Sequence, residues 1–499
     1  MKKVILALSL TLIATLNSFA QFKISGHIKN FTGTDSLVLN LPFVYGYYPE
    51  NNITITIDKS GRFNKVIPLH GQKFGTLIYK NTLNSILLTP KKSLVLEMDT
   101  TGKFLAFNGT TGNENKELYR AKLNEAPFFL KGDVKSNPYA GLTLAELQQQ
   151  VVKPWFAIRD EKLRNIKTAS IPASVKKLIA SEINYQAYVE LNYFAHGVIY
   201  ADKKLVNQLM CSLYDGVSPA PAVFPAGPWY YWYAENYTNY LNGKIFADFA
   251  PTDERSKPLF FDTYHMNLDT VMALGKKYGN AYSHWVLIKN HIPKNVAEQY
   301  LAQAIWRECR DKDLGGVTAL TDEFKTSFPN SAYTGLLQSK LKGLGAEYAQ
   351  NENNKNIKVF EGYEKVTSIY DVINTFKGKT IYLDIWGTWC GPCKRELQYN
   401  PALKQHFKGK DIVFVYLDMD EDDKDADWKK FIKVNGLTGI HLRKSKADIQ
   451  HIWDELLAKD KQRQYPTYFI FDKNGKLVQA DARQPSDGAD LYTELEKYL

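Results

Sequence analysis

The stretch YLDIWGTWCGPCKREL, residues 382–397, constrains this chain more than any other. An almost continuously apolar run, KTIYLDIW (379–386), ends at a glycine and a threonine. Two cysteines follow, two residues apart, at the head of the segment CKRELQYNPALKQHF, which reads as a helix. A strand apolar on both faces belongs inside a sheet covered by helices on both sides. Where it runs into a helix, the first N–H groups lack partners and the helix dipole adds positive potential. Cys390 falls at that junction, so its thiol is expected to ionise more readily than an ordinary cysteine. Cys393 lies one helical turn on. It is near enough to close a short disulfide and is expected to be more buried and less reactive. That division suits thiol–disulfide exchange, in which Cys390 attacks a substrate disulfide and Cys393 resolves the mixed disulfide.

The sequence around this motif alternates strand and helix. DIVFVYLDM (411–419) is a second buried strand, and ADWKKFIKVNG is a helix ended by Gly436. YPTYFIFDKNGKLVQA is a β-hairpin turning at Lys473-Asn474-Gly475. ADLYTELEKYL closes the chain as a helix. A Cys-x-x-Cys inside such a strand–helix pattern is the context of a redox pair.

At 499 residues the chain has room for about three domains. Residues 21–110 alternate with period two in DSLVLNLPFV, NNITITID and KSLVLEMD, with turns at DKSGRF and DTTGKF. They predict an antiparallel β domain, a sandwich. Residues 111–349 change to helical spacing, as in PASVKKLIASEINYQAYVELNYF. Within them lies the aromatic run PAPAVFPAGPWYYWYAENYTNYL (219–241). It is read as tyrosines and tryptophans packing a helical core, against the alternative of a sugar or peptide site. The polar segment 350–357, QNENNKNI, is expected as a linker to an α/β domain over 358–499. The first 20 residues carry Lys2 and Lys3, an apolar run, and Ser18 and Ala20 at the −3 and −1 positions of a cleavage site after Ala20. They read as a signal peptide, too short to span the bilayer. The mature protein is then exported and soluble, in an oxidising compartment where the periplasm is the expected place.

The pentapeptide WCGPC is identical to the thioredoxin active-site motif. The fuller pattern GKTIYLDIWGTWCGPCKREL…YPTYFIFDKNGKL resembles the TlpA/ResA-type exported thioredoxin-like proteins of bacteria, over about residues 358–499. The segment ILLTPKKSLVLEMDTTGKFLAFNGTTGNENKEL resembles the DUF4369 type of β domain found fused to such proteins. The resemblance implies a thioredoxin fold and several roles. Trp386 and Trp389 shield the site. Asp384, six residues before Cys390, is the buried acid that shuttles the proton of Cys393. Pro466 is the cis-proline lying against the disulfide, and with Tyr465 it offers a backbone edge to a substrate peptide. Trp389, Gly391 and Pro392 complete that substrate surface. Glu396 matches an active-site glutamate of the group; read from the residues alone, it is a helix acid that favours the dipole. The family carries a proline about two residues after that glutamate. Here Gln398 stands there and Pro401 comes three later, which shifts the expected helix kink by nearly a turn.

Composition narrows the function classes. The net charge is +10, yet the lysines are dispersed and an acidic stretch, DMDEDDKD (418–425), interrupts them, so nucleic acid is not expected as a partner. A zinc site needs four ligands; one Cys-x-x-Cys supplies two, and the nine histidines show no ligand spacing. A thiol peroxidase needs a threonine three residues before its cysteine, but Thr388 lies two before Cys390 and no proline precedes it. Cys211 and Cys309 could pair or could be small buried hydrophobes. No metal or cofactor is expected. The reading is a thiol–disulfide oxidoreductase acting as a reductase on protein disulfides. It would be recharged by a membrane electron donor, with homodimerisation through the N-terminal regions as a further expectation. The Gly-Pro dipeptide favours this direction, since thioredoxin itself is poised at about −270 mV. A disulfide oxidase or isomerase on the same fold stays open, as does an exported ligand-binding protein with an accessory redox domain.

Overall fold

The structure, a computed structural model, describes residues 20–245, 253–458 and 463–499. The signal segment before Ala20 lies outside the described residues. The chain forms two compact units. One takes in residues up to 273 together with 283–303, and the other comprises 274–282 and 304–499.

In the first unit eight strands build two four-stranded sheets. Strands β1 (Ala20–Ile28), β4 (Arg62–Leu69), β7 (Ser93–Met98) and β8 (Phe104–Asn108) form one, in the order β4-β1-β7-β8. Strands β2 (Ser36–Asn40), β3 (Asn52–Thr56), β5 (Lys73–Tyr79) and β6 (Thr82–Leu88) form the other, in the order β3-β2-β5-β6. Alternate apolar residues of both sheets, among them Phe22, Ile24, Leu39, Leu77 and Leu96, make a shared core, as a sandwich requires. The expectation of an all-antiparallel domain needs one correction: β1 and β7 pair in parallel, Lys23 beside Ser93 through Ile28 beside Met98. The chain returns from the opposite sheet before β7, so no tight hairpin forces the direction to reverse.

Helices follow. The first, Gly112–Arg120, is tied to the sandwich by Asn115, whose amide accepts from the Leu87 N–H (2.7 Å) and donates to the Leu87 carbonyl (3.1 Å). The aromatic run becomes the helix Pro228–Ile245, with Tyr230, Tyr231, Tyr233 and Tyr240 buried. Their rings pack on one another and on Tyr185, whose centroid lies 4.8 Å from that of Tyr233, so these side chains serve the core.

The second unit holds a six-stranded sheet: β9 (Ile357–Val359), β10 (Thr380–Trp386), β11 (Ile412–Asp418), β12 (Gly439–Arg443), β13 (Thr467–Phe471) and β14 (Leu477–Ala480), in the order β14-β13-β10-β11-β12-β9. The pairings from β10 through β9 are parallel; β13 runs antiparallel to both its neighbours. Every residue of β10 is buried, because helices cover both faces. Leu383 and Ile385 point into one core with Trp428, Ile452 and Trp453; Tyr382 points into the other with Leu403, Phe407 and Leu491. The helices Leu314–Ser327 and Thr334–Asn351 also belong to this unit. Of the segment expected as a linker, Gln350 and Asn351 close the latter helix and Ile357 opens β9.

Asn115→Ala would strip two hydrogen bonds from a buried strand and leave both Leu87 backbone groups unpaired. A loss of about 2–3 kcal/mol is expected in urea unfolding of the whole chain.

Candidate active site

The site is built at the end of β10 that adjoins the helix. Seven buried residues fix the strand, and the chain then leaves the sheet through Gly387, Thr388 and Trp389. Gly387 is there for space: a Cβ on it would lie 2.7 Å from Trp389 Nε1, so the indole folds back over bare backbone. Asp420 grips Thr388, accepting from its N–H (3.1 Å) and its hydroxyl. Asp420 is held in turn by Arg443. That buried guanidinium donates to the Asp420 carbonyl (2.9 Å) and pairs with Asp422 (2.9 Å) and Asp425 (3.3 Å). The acidic stretch 418–425 is thus a frame around one arginine, and it anchors the loop that leads to the dithiol.

Cys390 is the N-cap of the helix Gly391–Leu397, with Pro392 at its start. Proline suits that position because its missing N–H would be unpaired there anyway. The Cys390 sulfur accepts the Cys393 N–H at 3.2 Å, and the two cysteines form a disulfide with their Cα atoms 5.2 Å apart. Both are buried, Cys390 at 4% and Cys393 at 1% exposure, while Gly391 and Pro392 face outward. The helix stops at Leu397 and a second, Asn400–His406, begins with Pro401 in its first turn. Pro401 has no N–H to give the Leu397 carbonyl, so the chain tightens at Gln398 and Tyr399, which bond three residues back. The break lies where the displaced proline puts it.

The register of β13 brings the other half of the site. Thr467 pairs with Ile385, so the cis Tyr465–Pro466 bond sits beside the end of β10. The Tyr465 ring stands edge-on to Trp389 and to Trp453, 5.7 Å from each. Trp389 is half exposed, whereas Trp386 is fully buried against Phe431. The two tryptophans therefore differ: Trp389 covers the site, and Trp386 belongs to the core.

Asp384 lies on the sheet face shared with Tyr382, between Tyr416 of β11 and Tyr468 of β13. Burial pushes its carboxyl well above the usual carboxylate range, and the negative charge of Glu396 adds to that; Lys404 pulls the other way. Burial lowers the Lys404 ammonium to about 7. Its Nζ donates to the Thr438 carbonyl and stands 4.8 Å from the centre of the Tyr416 ring. Glu396 is half-buried and accepts the Ser486 N–H at 2.9 Å, which ties the dithiol helix to the loop after β14. The structure thus gathers Cys390, Cys393, Trp389, Tyr465 and Pro466 around the disulfide. Glu396 belongs to the helix that starts there, close enough for its charge to bear on Asp384 of β10. Sequence reasoning missed Lys404, Asp420 and Arg443. Lys404 follows a core leucine on a helix with no motif of its own. Asp420 was hidden in a run read only as a charge.

Residues 358–495 match the Redoxin family model, and this part of the chain is similar to thiol-disulfide oxidoreductases. Among curated proteins it is similar to the thiol-disulfide oxidoreductase ResA of Bacillus thuringiensis subsp. konkukian, 32% identical over 128 residues, which are 26% of this chain and 65% of that protein. ResA of Bacillus subtilis is 27% identical over 106 residues, 21% of this chain and 54% of that one. The chain thus spans 65% or less of the length of these relatives. A solved thioredoxin domain of a thiol-disulfide oxidoreductase from Bacteroides vulgatus aligns with 25% of this chain and 82% of that one, at 27% identity and a TM-score of 0.22.

The raised Asp384 carboxyl sets a pH dependence. Above the unfolded value near 4 the unfolded chain releases a proton that the folded protein keeps, so this group costs stability as pH rises toward its folded pKa. Asp384→Asn should therefore unfold at higher urea than the wild type at pH 8, by at least about 1 kcal/mol, with the gain gone at pH 4. Urea titrations of the oxidised protein at the two pH values would check it.

Proposed function

We propose that the protein is an exported thiol–disulfide oxidoreductase, working in the periplasm as a reductase of protein disulfides. The observation that carries this is a Cys390–Cys393 pair at a helix start, with the Tyr465–Pro466 bond beside it. In the reduced protein the Cys390 thiolate attacks one sulfur of a substrate disulfide. The substrate S–S bond breaks, its far sulfur leaves and takes a proton, and a Cys390–substrate disulfide forms. Cys393, deprotonated, then attacks the Cys390 sulfur. The substrate's second thiol leaves, two electrons have passed to the substrate, and Cys390–Cys393 is oxidised.

Asp384 is assigned the proton of Cys393. A carboxyl held well above the usual carboxylate range exchanges a proton with a thiol at less cost than an ordinary carboxylate would. Glu396, on the half-buried side of the same group, is assigned the exchange with solvent. Trp389, Gly391, Pro392, Tyr465 and Pro466 form the substrate surface, on which the backbone beside Pro466 pairs with an extended peptide. A membrane electron donor returns the dithiol to its reduced form. The β domain, assigned to the DUF4369 type, and the helical region select the substrate or dimerise the chain. Among the described residues no helix is long and apolar enough to cross a membrane.

The reduction potential, measured by dithiothreitol equilibration with tryptophan fluorescence as readout, tests the direction. A value near about −270 mV is expected, and one above about −180 mV would instead make this an oxidase or isomerase. Cys393→Ser should accumulate a mixed disulfide with substrate that Cys390→Ser cannot form, visible as a reducible adduct on a non-reducing gel.

A further inference from the structure

A cleft of about 490 Å³ opens beside the dithiol, lined by Trp389, Gly391 and Lys394 on one side and by residues 275–279, Ala281 and residues 311–316 of the helical region on the other. Its volume lies within the range of ligand pockets, about 300–1,000 Å³. The wall is anchored to the Redoxin domain by the ion pair of Lys276 with Asp423 (2.6 Å) and by Lys424, which donates to the Lys276 carbonyl. Both groups of wall residues belong to the same compact unit as the dithiol.

The charges in the cleft are unevenly committed. Its carboxylates are largely occupied: Asp311 pairs with Arg310 (2.6 Å), Glu308 lies near Arg307 (3.8 Å) and Lys394, Asp313 accepts the Gly316 N–H (3.0 Å), Asp420 holds Thr388 and feels the charge of Lys394, and Asp427 pairs with Lys424 (3.2 Å). Glu421, exposed at the rim, opposes the lysines. By contrast Lys394, Lys430 and Lys446 have no ion pair among the described residues. Two of them stand over aromatic rings, Lys446 at 4.9 Å from the centre of Trp389 and Lys394 at 5.8 Å from Phe431. Ammonium groups placed this way keep their donors for a ligand. Lys446 stands against Trp389, the residue that precedes Cys390.

We propose that this cleft receives the acidic flank of an extended peptide whose disulfide Cys390 reduces. The inference rests on the reductase reading and adds the substrate class. A sulfur arriving at Cys390 comes between the Tyr465–Pro466 bond and the wall, so its chain is narrow and unfolded there. Carboxylates beside the reacting cysteine meet Lys394, Lys430 and Lys446, which draws such segments in and disfavours basic ones.

The test uses the mature full chain, reduced beforehand, and two peptides with the same disulfide, one flanked by three glutamates and the other by three lysines. The glutamate peptide should react at least tenfold faster at low salt. That ratio should fall as salt screens the lysines, and should collapse toward one in the double variant Lys430→Gln/Lys446→Gln. The salt series on the wild type carries the test if the variant does not fold. Neutral hydroxyethyl disulfide separates the two readings. If it is reduced while the peptides react equally, the cleft does not select acidic flanks and this inference fails alone. If neither it nor the peptides are reduced, the reductase reading fails first and takes this one with it. A disulfide on a folded protein reduced as fast as the glutamate peptide would overturn the requirement for an extended chain.

Discussion

Everything at the site hangs on the complete burial of β10. A seven-residue strand with hydrogen-bonded neighbours on both sides and a helical layer on each face cannot shift by one residue without turning Leu383 and Ile385 out of one core and Tyr382 out of the other. That rigidity fixes where the strand ends. The end of the strand fixes where the next helix begins, and the residue that caps that helix is Cys390. The chemistry depends on an angstrom-scale placement that is set by apolar packing on the far side of the sheet.

A second layer of control is polar. The loop between the strand and the dithiol has three residues and no side chain large enough to pin it from within, except Trp389, which is half exposed. Asp420 supplies the missing constraint by holding Thr388, and Arg443 supplies Asp420. The arginine is buried and its charge is matched by the exposed Asp422 and the partly buried Asp425, so losing those carboxylates would leave the guanidinium unpaired in a poorly solvated place. The frame is costly to break, and so it is suited to holding a loop next to a nucleophile.

The Redoxin part of this organisation was largely legible, because the strand, motif, helix and hairpin each leave strong local signals and agree with one another. Cys390, Cys393 and Pro466 could be placed from spacing and family pattern alone. What was not legible arises from tertiary neighbours. Lys404 and Asp384 act on each other's charge across twenty positions of sequence, through the packing of a helix on the sheet. Asp420 and Arg443 are 23 positions apart and meet only through the pairing of β11 with β12. The parallel β1–β7 pair was missed for a similar reason: alternation reveals a strand but carries no sign of its direction. The aromatic run in the helical region gave the right answer because Tyr230, Tyr231 and Tyr233 recur too closely for one exposed face.

The helix Thr334–Asn351 packs against the helix Asp425–Val434 of the Redoxin domain, where Asn351 approaches Gly436. The stretch of chain that matches a known family and the stretch that folds as one body therefore begin at different residues. A boundary drawn at residue 358 would expose Trp428 and Phe431's helix along a seam that the native chain keeps covered, and would remove the wall of the cleft with it. A domain cut from this protein by sequence similarity would be a different object from the domain that works within it, stickier on one side and open on another.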